Sequence, residues 1–353
     1  MRTDSPPALP ARLRLPPHRS VLRLGADGRL LGLEPGRAIA VDGLCAGLAA
    51  MLDELVGPIE PAGAVARAME RGADPQTAAD LLRELVEVGA LVDAGDEERR
   101  ARQRRDSVVL VVGAGPLAVG VVVGLARAGV GAVVTATGGR VRAADLGTGY
   151  LDADLGRDRV EATQAAVRRM CPDAAAPAVG RRVAPDLVVL ADALAPEPAR
   201  IAALHGELTP HLPVRLRDGI GLIGPLVLPG RTTCLRCLEL HRRARAPEWP
   251  QVSAQLNGLC GQAGSAETSA TAALATAQVL AALDALTGAG GEPPTLETTI
   301  ELHAVAGTIT RRRWAPLAEC GCGAPTPHRA RAGGPHHGAV TSADQRDGET
   351  IMV

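Results

Sequence analysis

The stretch Val108-Val109-Leu110-Val111-Val112-Gly113-Ala114-Gly115-Pro116-Leu117-Ala118-Val119-Gly120 decides the fold. Its first five residues are apolar and four of them are valines, which reads as a buried strand. Gly113 and Gly115 break that strand, and Leu117–Ala128 then follows with helical character. Strand, glycine turn and helix together fit the pattern G-x-G-x-x-A. In that pattern the first glycine permits the tight turn, and the second lets a phosphate approach the backbone at the helix N-terminus. A turn that only packs strand on helix, with no ligand, would carry the same residues. A carboxylate about 20 residues further on would hold a ribose. Here that stretch, Val133 to Gly139, contains none.

Downstream, apolar runs at Val133–Thr135, Leu187–Leu190 and Leu222–Val227 alternate with helical text. That rhythm predicts an α/β sheet. Ser269–Leu286 reads as an Ala-rich helix, and Thr295–Ile309 as one or two antiparallel strands. Two cysteine pairs lie in this half, Cys234-Leu235-Arg236-Cys237 and Cys320-Gly321-Cys322. Four thiolates from two short turns make a closed tetrahedral zinc site, structural because no position is left for water. Four ordinary buried thiols are the bland alternative. Cys45 and Cys171 read as core fillers. Cys260 sits in the glycine-flanked turn Asn257–Gly261, where a thiol is either passive or reactive.

Upstream, residues 1–18 are Pro/Arg-rich and read as disordered. Residues 19–94 form a separate unit. Val21–Leu24, a turn at Gly25–Gly28 and Leu30–Leu33 suit a hairpin. Helical periods follow at Leu44–Leu55 and Ala62–Arg71, and Asp74-Pro75 supplies an N-cap and first helical residue for a third helix ending near Val88. With Ala90–Val92 as a wing strand, the unit resembles a winged helix-turn-helix. Residues 95–106 are densely charged and read as a solvated linker or helix, and residues 324–353 as a disordered tail.

Composition narrows the class further. All 38 basic residues are Arg and the formal net charge is −1, which gives no reason to expect nucleic-acid binding. Residues 74–91 carry only Arg83 against Asp74, Asp80, Glu84 and Glu87, the wrong balance for a DNA-recognition helix. Aromatics make up 1% of the chain, so the cores must be built from Ala, Leu and Val. Seven cysteines in 353 residues is not a disulfide-dense secreted pattern, and the apolar stretch Val108–Leu125 is broken by glycines and Pro116. The expectation is a cytoplasmic protein without a membrane span.

The glycine turn, the segment Asp154–Ala162 leading into Cys171-Pro172, the run Pro229–Cys237 and the late cysteine pair occur in an order that resembles ThiF/MoeB-type proteins. These share the fold of the ubiquitin-activating enzymes, and the resemblance covers residues 107–323. It implies a Rossmann-like α/β domain carrying the four-cysteine zinc site. It also implies a nucleotide pocket built on Gly113, Gly115, Ala118, Arg159 and Asp192. Cys234–Arg243 followed by Trp249-Pro250 is similar to one branch in particular. That branch joins a PqqD-like, leader-peptide-binding winged helix to a ThiF-like domain. It works in the biosynthesis of thiazole/oxazole-modified peptides and related bacteriocins. The partners implied are a precursor leader peptide and an ATP-using cyclodehydratase, and relatives are often dimers. Several family positions are altered. The paired ribose aspartates fall in Thr137–Val141, the phosphate-binding Arg position is Thr148, its Asn is Asp145, and the later Lys is Arg159. A degenerate ATP pocket on a retained scaffold is therefore expected. The alternative is an ATP-dependent adenylyltransferase that activates a carboxylate, with Cys260 as acyl acceptor.

Overall fold

The computed structural model describes residues 9–55, 57–172 and 184–326. The expected tail from 327 onward lies outside the described residues. Two bodies of core are present, one before and one after a charged helix.

The first is built from β1 (Leu13–Arg14), β2 (Val21–Leu24), β3 (Gly28–Leu31), β4 (Ile39–Val41), α1 (Ala46–Asp53), α2 (Pro61–Glu70), α3 (Pro75–Glu87) and β5 (Val92–Asp93). β2, β3 and β4 form an antiparallel meander, and β1 pairs with β5. Leu31, Leu52, Leu82 and Leu91 are fully buried in one cluster between these elements. Asp74 caps α3, its carboxylate accepting from the Thr77 N–H at 2.8 Å, with Pro75 in the first turn. Such a cap is worth about 1 kcal/mol. The expectation of disorder through residue 18 fails at residues 13–15. Leu13 and Leu15 are buried, and the Leu13 backbone also pairs with Ile59, so apolar burial overrides the Pro/Arg-rich context. Where a strand is expected at Ala90–Val92, the short strand β5 covers Val92–Asp93 and pairs antiparallel with β1.

The charged segment is the helix α4 (Ala94–Asp106), with acidic residues in its first turn and arginines in its last, the order that suits the helix dipole. It is more than a spacer. Arg104 makes a two-pronged ion pair with the largely buried Asp284.

The second body contains β6 (Val108–Val112), α5 (Pro116–Arg127), β7 (Ala132–Ala136), α6 (Arg159–Met170), β8 (Leu187–Ala191), α7 (Pro198–Gly206), β9 (His211–Arg217), β10 (Ile220–Ile223), α8 (Leu235–Arg245), α9 (Trp249–Gln255), α10 (Ser265–Leu286), β11 (Thr298–His303) and β12 (Thr308–Arg313). They give a seven-stranded sheet in the order β12-β11-β10-β9-β8-β6-β7. The β7-β6-β8-β9 half is parallel and the β9-β10-β11-β12 half antiparallel. β8 is buried at every position, as a central parallel strand should be. α5, α6 and α10 pack on one face through Val121, Leu125, Ala166, Ala275 and Val279. The apolar α10 is long enough to cross a membrane by composition, yet Ala275, Val279 and Ala282 are fully buried in this core. The other face carries α7, α8 and the four cysteines. The chain runs from β6 out to β7 and back across to β8, so the crevice beyond the ends of β6 and β8 is the topological switch point, the usual ligand position in open α/β sheets.

Candidate functional site

Gly113 and Gly115 follow β6, and Asp192 follows β8, so all three meet at that crevice. Asp192 has φ of 68°, a left-handed conformation, and is buried. Its Oδ2 accepts from the Ala114 and Gly115 N–H groups at 3.0 and 2.8 Å, and its Oδ1 from Ala118 N–H at 3.3 Å. The anion-binding start of α5 is thus filled by the chain's own carboxyl group. Both glycines are needed for this. A Cβ on Gly113 would come within 2.7 Å of Asp192 Oδ2, and one on Gly115 within 3.0 Å of Oδ1. Burial pushes the Asp192 carboxyl above its ordinary value, and the three N–H donors oppose that.

The charged groups expected beside the turn also pair with each other. Arg159 Nη2 donates to Asp145 Oδ2 at 2.6 Å, and the pair is largely buried. Asp145 further accepts from the Arg142 N–H at 2.8 Å. Thr148 donates its hydroxyl proton to the Pro116 carbonyl in the first turn of α5. At the expected ribose position, Thr137–Val141, the Thr137 hydroxyl is buried without a partner among the described residues, and Arg140 donates to the Gly156 carbonyl at 2.7 Å. The ribose carboxylates and phosphate-binding arginine that the resemblance implies for a nucleoside triphosphate fall here at Thr137–Val141 and Thr148. The Ala114, Gly115 and Ala118 N–H groups and the Arg159 Nη1 and Nη2 atoms have partners within the chain, Arg159 Nε is buried without one among the described residues, and Val133–Gly139 holds no carboxylate.

Cys260 lies on the rim of the same crevice. Its loop is tied to Asp192 by a Gly261 N–H to Asp192 carbonyl bond of 2.9 Å and by pairing of Cys260 with Ala193. Asn257–Cys260, Asp192 and Gly113 line a cavity of about 360 Å³. Desolvation and the neighbouring Asp192 push the Cys260 thiol up, so it is not poised as a thiolate.

The four expected ligand cysteines converge. Cys234 caps α8 and Cys237 lies in its first turn, while Cys320 and Cys322 flank Gly321, whose φ of 68° makes the sharp bend. All four are buried, with sulfurs 3.9 Å apart for Cys234–Cys237, 3.5 Å for Cys234–Cys320 and 3.8 Å for Cys237–Cys322. A tetrahedron of sulfurs each about 2.3 Å from zinc has edges of about 3.8 Å. Burial pushes Cys234 up to about 11 and Cys320 upward as well. Burial also works against ionisation of Cys237, but hydrogen bonds from the Cys234 and Leu317 backbone and from neighbouring thiols hold it below the ordinary value. The geometry is compatible with a structural zinc ion. The remaining cysteines depart from expectation, since Cys45 is exposed and Cys171 only half-buried.

Two features escaped the sequence reading. Asp145 is the partner of Arg159, and Asp192 is a plug for the turn. The resemblance put Arg159 and Asp192 in one pocket and Asp145 at a family Asn, but nothing local in the sequence paired Asp145 with Arg159 or Asp192 with the turn. No protein-family model matches the chain, and no curated protein matches it in sequence. Solved structures do. E. coli MccB with AMPCPP and MccA superposes with a TM-score of 0.66 at 15% identity, covering 89% of this chain and all of that one. The microcin C7 biosynthetic enzyme MccB in complex with N-formylated MccA gives 0.65 at 15%, over 88% and 99%. The heterocyclase TruD gives 0.59 at 17%, over 89% of this chain and 43% of that one. The chain therefore has the MccB-type α/β fold, in agreement with the ThiF-like expectation.

Proposed function

We propose that the chain is a precursor-peptide-binding scaffold in ribosomal peptide or bacteriocin biosynthesis, presenting a leader peptide to a separate cyclodehydratase rather than activating a carboxylate itself. The observation that carries this reading is the self-filled glycine turn, with Asp192 on its N–H groups and Arg159 committed to Asp145. Residues 19–94, read as a PqqD-like winged helix, hold the peptide. β2 is an edge strand, unpaired on its outer side among the described residues, and it exposes Leu22 and Leu24. An added strand gains backbone hydrogen bonds there, and the leucines select its side chains. That MccB was solved with MccA, and that the heterocyclase TruD shares the fold, support a peptide partner. Zinc on Cys234, Cys237, Cys320 and Cys322 holds the second domain together. A cytoplasmic location goes with this role.

The test is calorimetry of the full chain with leader segments of precursors encoded beside its gene. Micromolar binding is expected, weakened at least ten-fold by Leu22→Glu with Leu24→Glu. Indifference to every leader, with salt-sensitive binding to random duplex DNA, would defeat the reading. The second reading, an ATP-dependent adenylyltransferase, rests on Cys260 lying beside Asp192 in the crevice and on MccB having been solved with AMPCPP. ATP–pyrophosphate exchange by the isolated chain would select it.

A further inference from the structure

Alternation along β9 sends Leu212, Val214 and Leu216 into the core against α5 and α10, and His211 and Arg215 to the opposite face. Arg215 is only 4% exposed, yet it makes no hydrogen bond or ion pair with any described residue. Its burial lowers it to about 9, and the nearby Arg242 and Arg217 push the same way. The two carboxylates beside it are committed elsewhere. Glu239 accepts from Arg242 at 2.7 Å and from the Trp249 indole, and Glu301 pairs with Arg312 at 2.9 Å. A buried, unpaired cation is destabilising unless something else satisfies it.

Arg215 opens into space. A cavity of about 510 Å³ and another of about 210 Å³ both have Arg215 and Arg242 in their walls. The larger borders the cysteine cluster at Cys234, Cys320 and Cys322; the rest of its wall includes Pro196, Pro198, Ile201, Leu235 and Leu238, and His211, whose buried Nε2 has no partner among the described residues. A third cavity of about 520 Å³ shares Pro196, Pro198 and Glu239 with it. The three cavities lie side by side along one face, with mainly apolar walls, and Arg215 borders two of them without a partner among the described residues. The groove they make lies on the face of the sheet that carries α7 and α8, and its walls include neither the glycine turn nor the β2 edge.

We propose that this groove binds an extended peptide segment, apolar on either side of an acidic residue whose carboxylate pairs with Arg215. Planar guanidinium and carboxylate match in two-pronged geometry, and the low dielectric of the site strengthens the pair. The apolar walls take the flanking side chains. The inference is independent of what the β2 edge binds and of any nucleotide chemistry.

Both tryptophans of the chain, Trp249 and Trp314, line the smaller cavity, so intrinsic fluorescence reports on the site. The full, zinc-loaded chain is titrated with a blocked peptide, acetyl-Ala-Leu-Glu-Leu-Ala-amide, with its Gln counterpart, with octanoate and with pyrophosphate. A saturable change with the Glu peptide, at least ten-fold weaker with the Gln peptide and abolished by Arg215→Met, is the expected result. Arg215→Met should at the same time raise the melting temperature by a few degrees, because the unpaired buried charge is removed. If that variant fails to fold, Arg215→Lys, which keeps the charge but not the fork, carries the same test with an expected ten-fold weakening. Equal responses to the Glu and Gln peptides would overturn the proposal. So would a response to octanoate or pyrophosphate without one to the peptide, or a fluorescence change driven by protein concentration alone, which would mark a contact between two copies of the chain.

Discussion

Replacing Asp192 by Ala tests whether the glycine turn is filled from within. The substitution strips acceptors from three N–H groups, at 2.8, 3.0 and 3.3 Å. A hydrogen bond to a charged acceptor contributes about 1.5–3 kcal/mol, and the longest contributes least. Against this, the variant no longer buries a carboxyl group whose ionisation burial opposes, and the adjoining cavity admits water to some of the freed donors. The balance is a loss of about 2–4 kcal/mol in urea unfolding at pH 7. The emptied turn then becomes an anion site at a helix N-terminus. Sulfate at ten times its dissociation constant should restore about 1.4 kcal/mol to the variant. Sulfate also stabilises proteins generally by exclusion from their surface, so the readout is the difference between variant and parent at equal ionic strength. A loss below about 0.5 kcal/mol, within the scatter of a surface change, or the same sulfate gain in both proteins, would refute the plug.

Metal analysis of the purified chain should find one zinc per chain. Cys234→Ser or a strong chelator should destabilise the second domain by roughly 4–5 kcal/mol if the site closes its 86-residue span as a cross-link does, and a stable metal-free protein would contradict this. Asp154, fully buried, accepts from Arg169 at 2.6 Å and Arg157 at 2.9 Å. Burial raises its carboxyl, but Arg169, the Leu151 N–H and Arg157 outweigh that and hold it below the ordinary value. The unfolded chain therefore binds the proton more readily. The stabilisation is full above the unfolded carboxylate value and disappears as pH falls through the lower folded one. Asp154→Asn should cost about 1–3 kcal/mol at pH 7 and progressively less below pH about 4 in acid-unfolding curves, and a cost independent of pH would contradict it. Gly261→Ala sets a Cβ against the Leu216 carbonyl oxygen. It should displace the Asn257–Cys260 loop and raise Cys260 labelling by a maleimide several-fold, whereas unchanged labelling would show that the loop is not held there.

Local order was legible where a few neighbouring residues dictate the outcome. Val108–Val112 with Gly113 and Gly115 announced β6 and its turn, Asp74-Pro75 announced the start of α3, and each cysteine pair announced half of a metal-type cluster. β9 went unread because Pro213, Arg215 and Arg217 interrupt its apolar pattern, and only the neighbouring β8 and β10 make it a strand. β1 was hidden for a similar reason, since its partner β5 lies nearly 80 residues away.

The chain's own sequence thus determined the class of fold, the position of the glycine turn and the identity of the four clustered cysteines, because propensity, turn chemistry and ligand spacing act over a handful of residues. The tertiary structure decided what those parts do. Asp192 reaches Ala114 across 78 positions of sequence, Asp145 takes Arg159, and Arg215 is buried without a partner among the described residues. Hydrogen bonds and charge interactions act through space over a few ångströms, so whether a donor is free for a ligand or satisfied at home depends on which distant segments the sheet brings together.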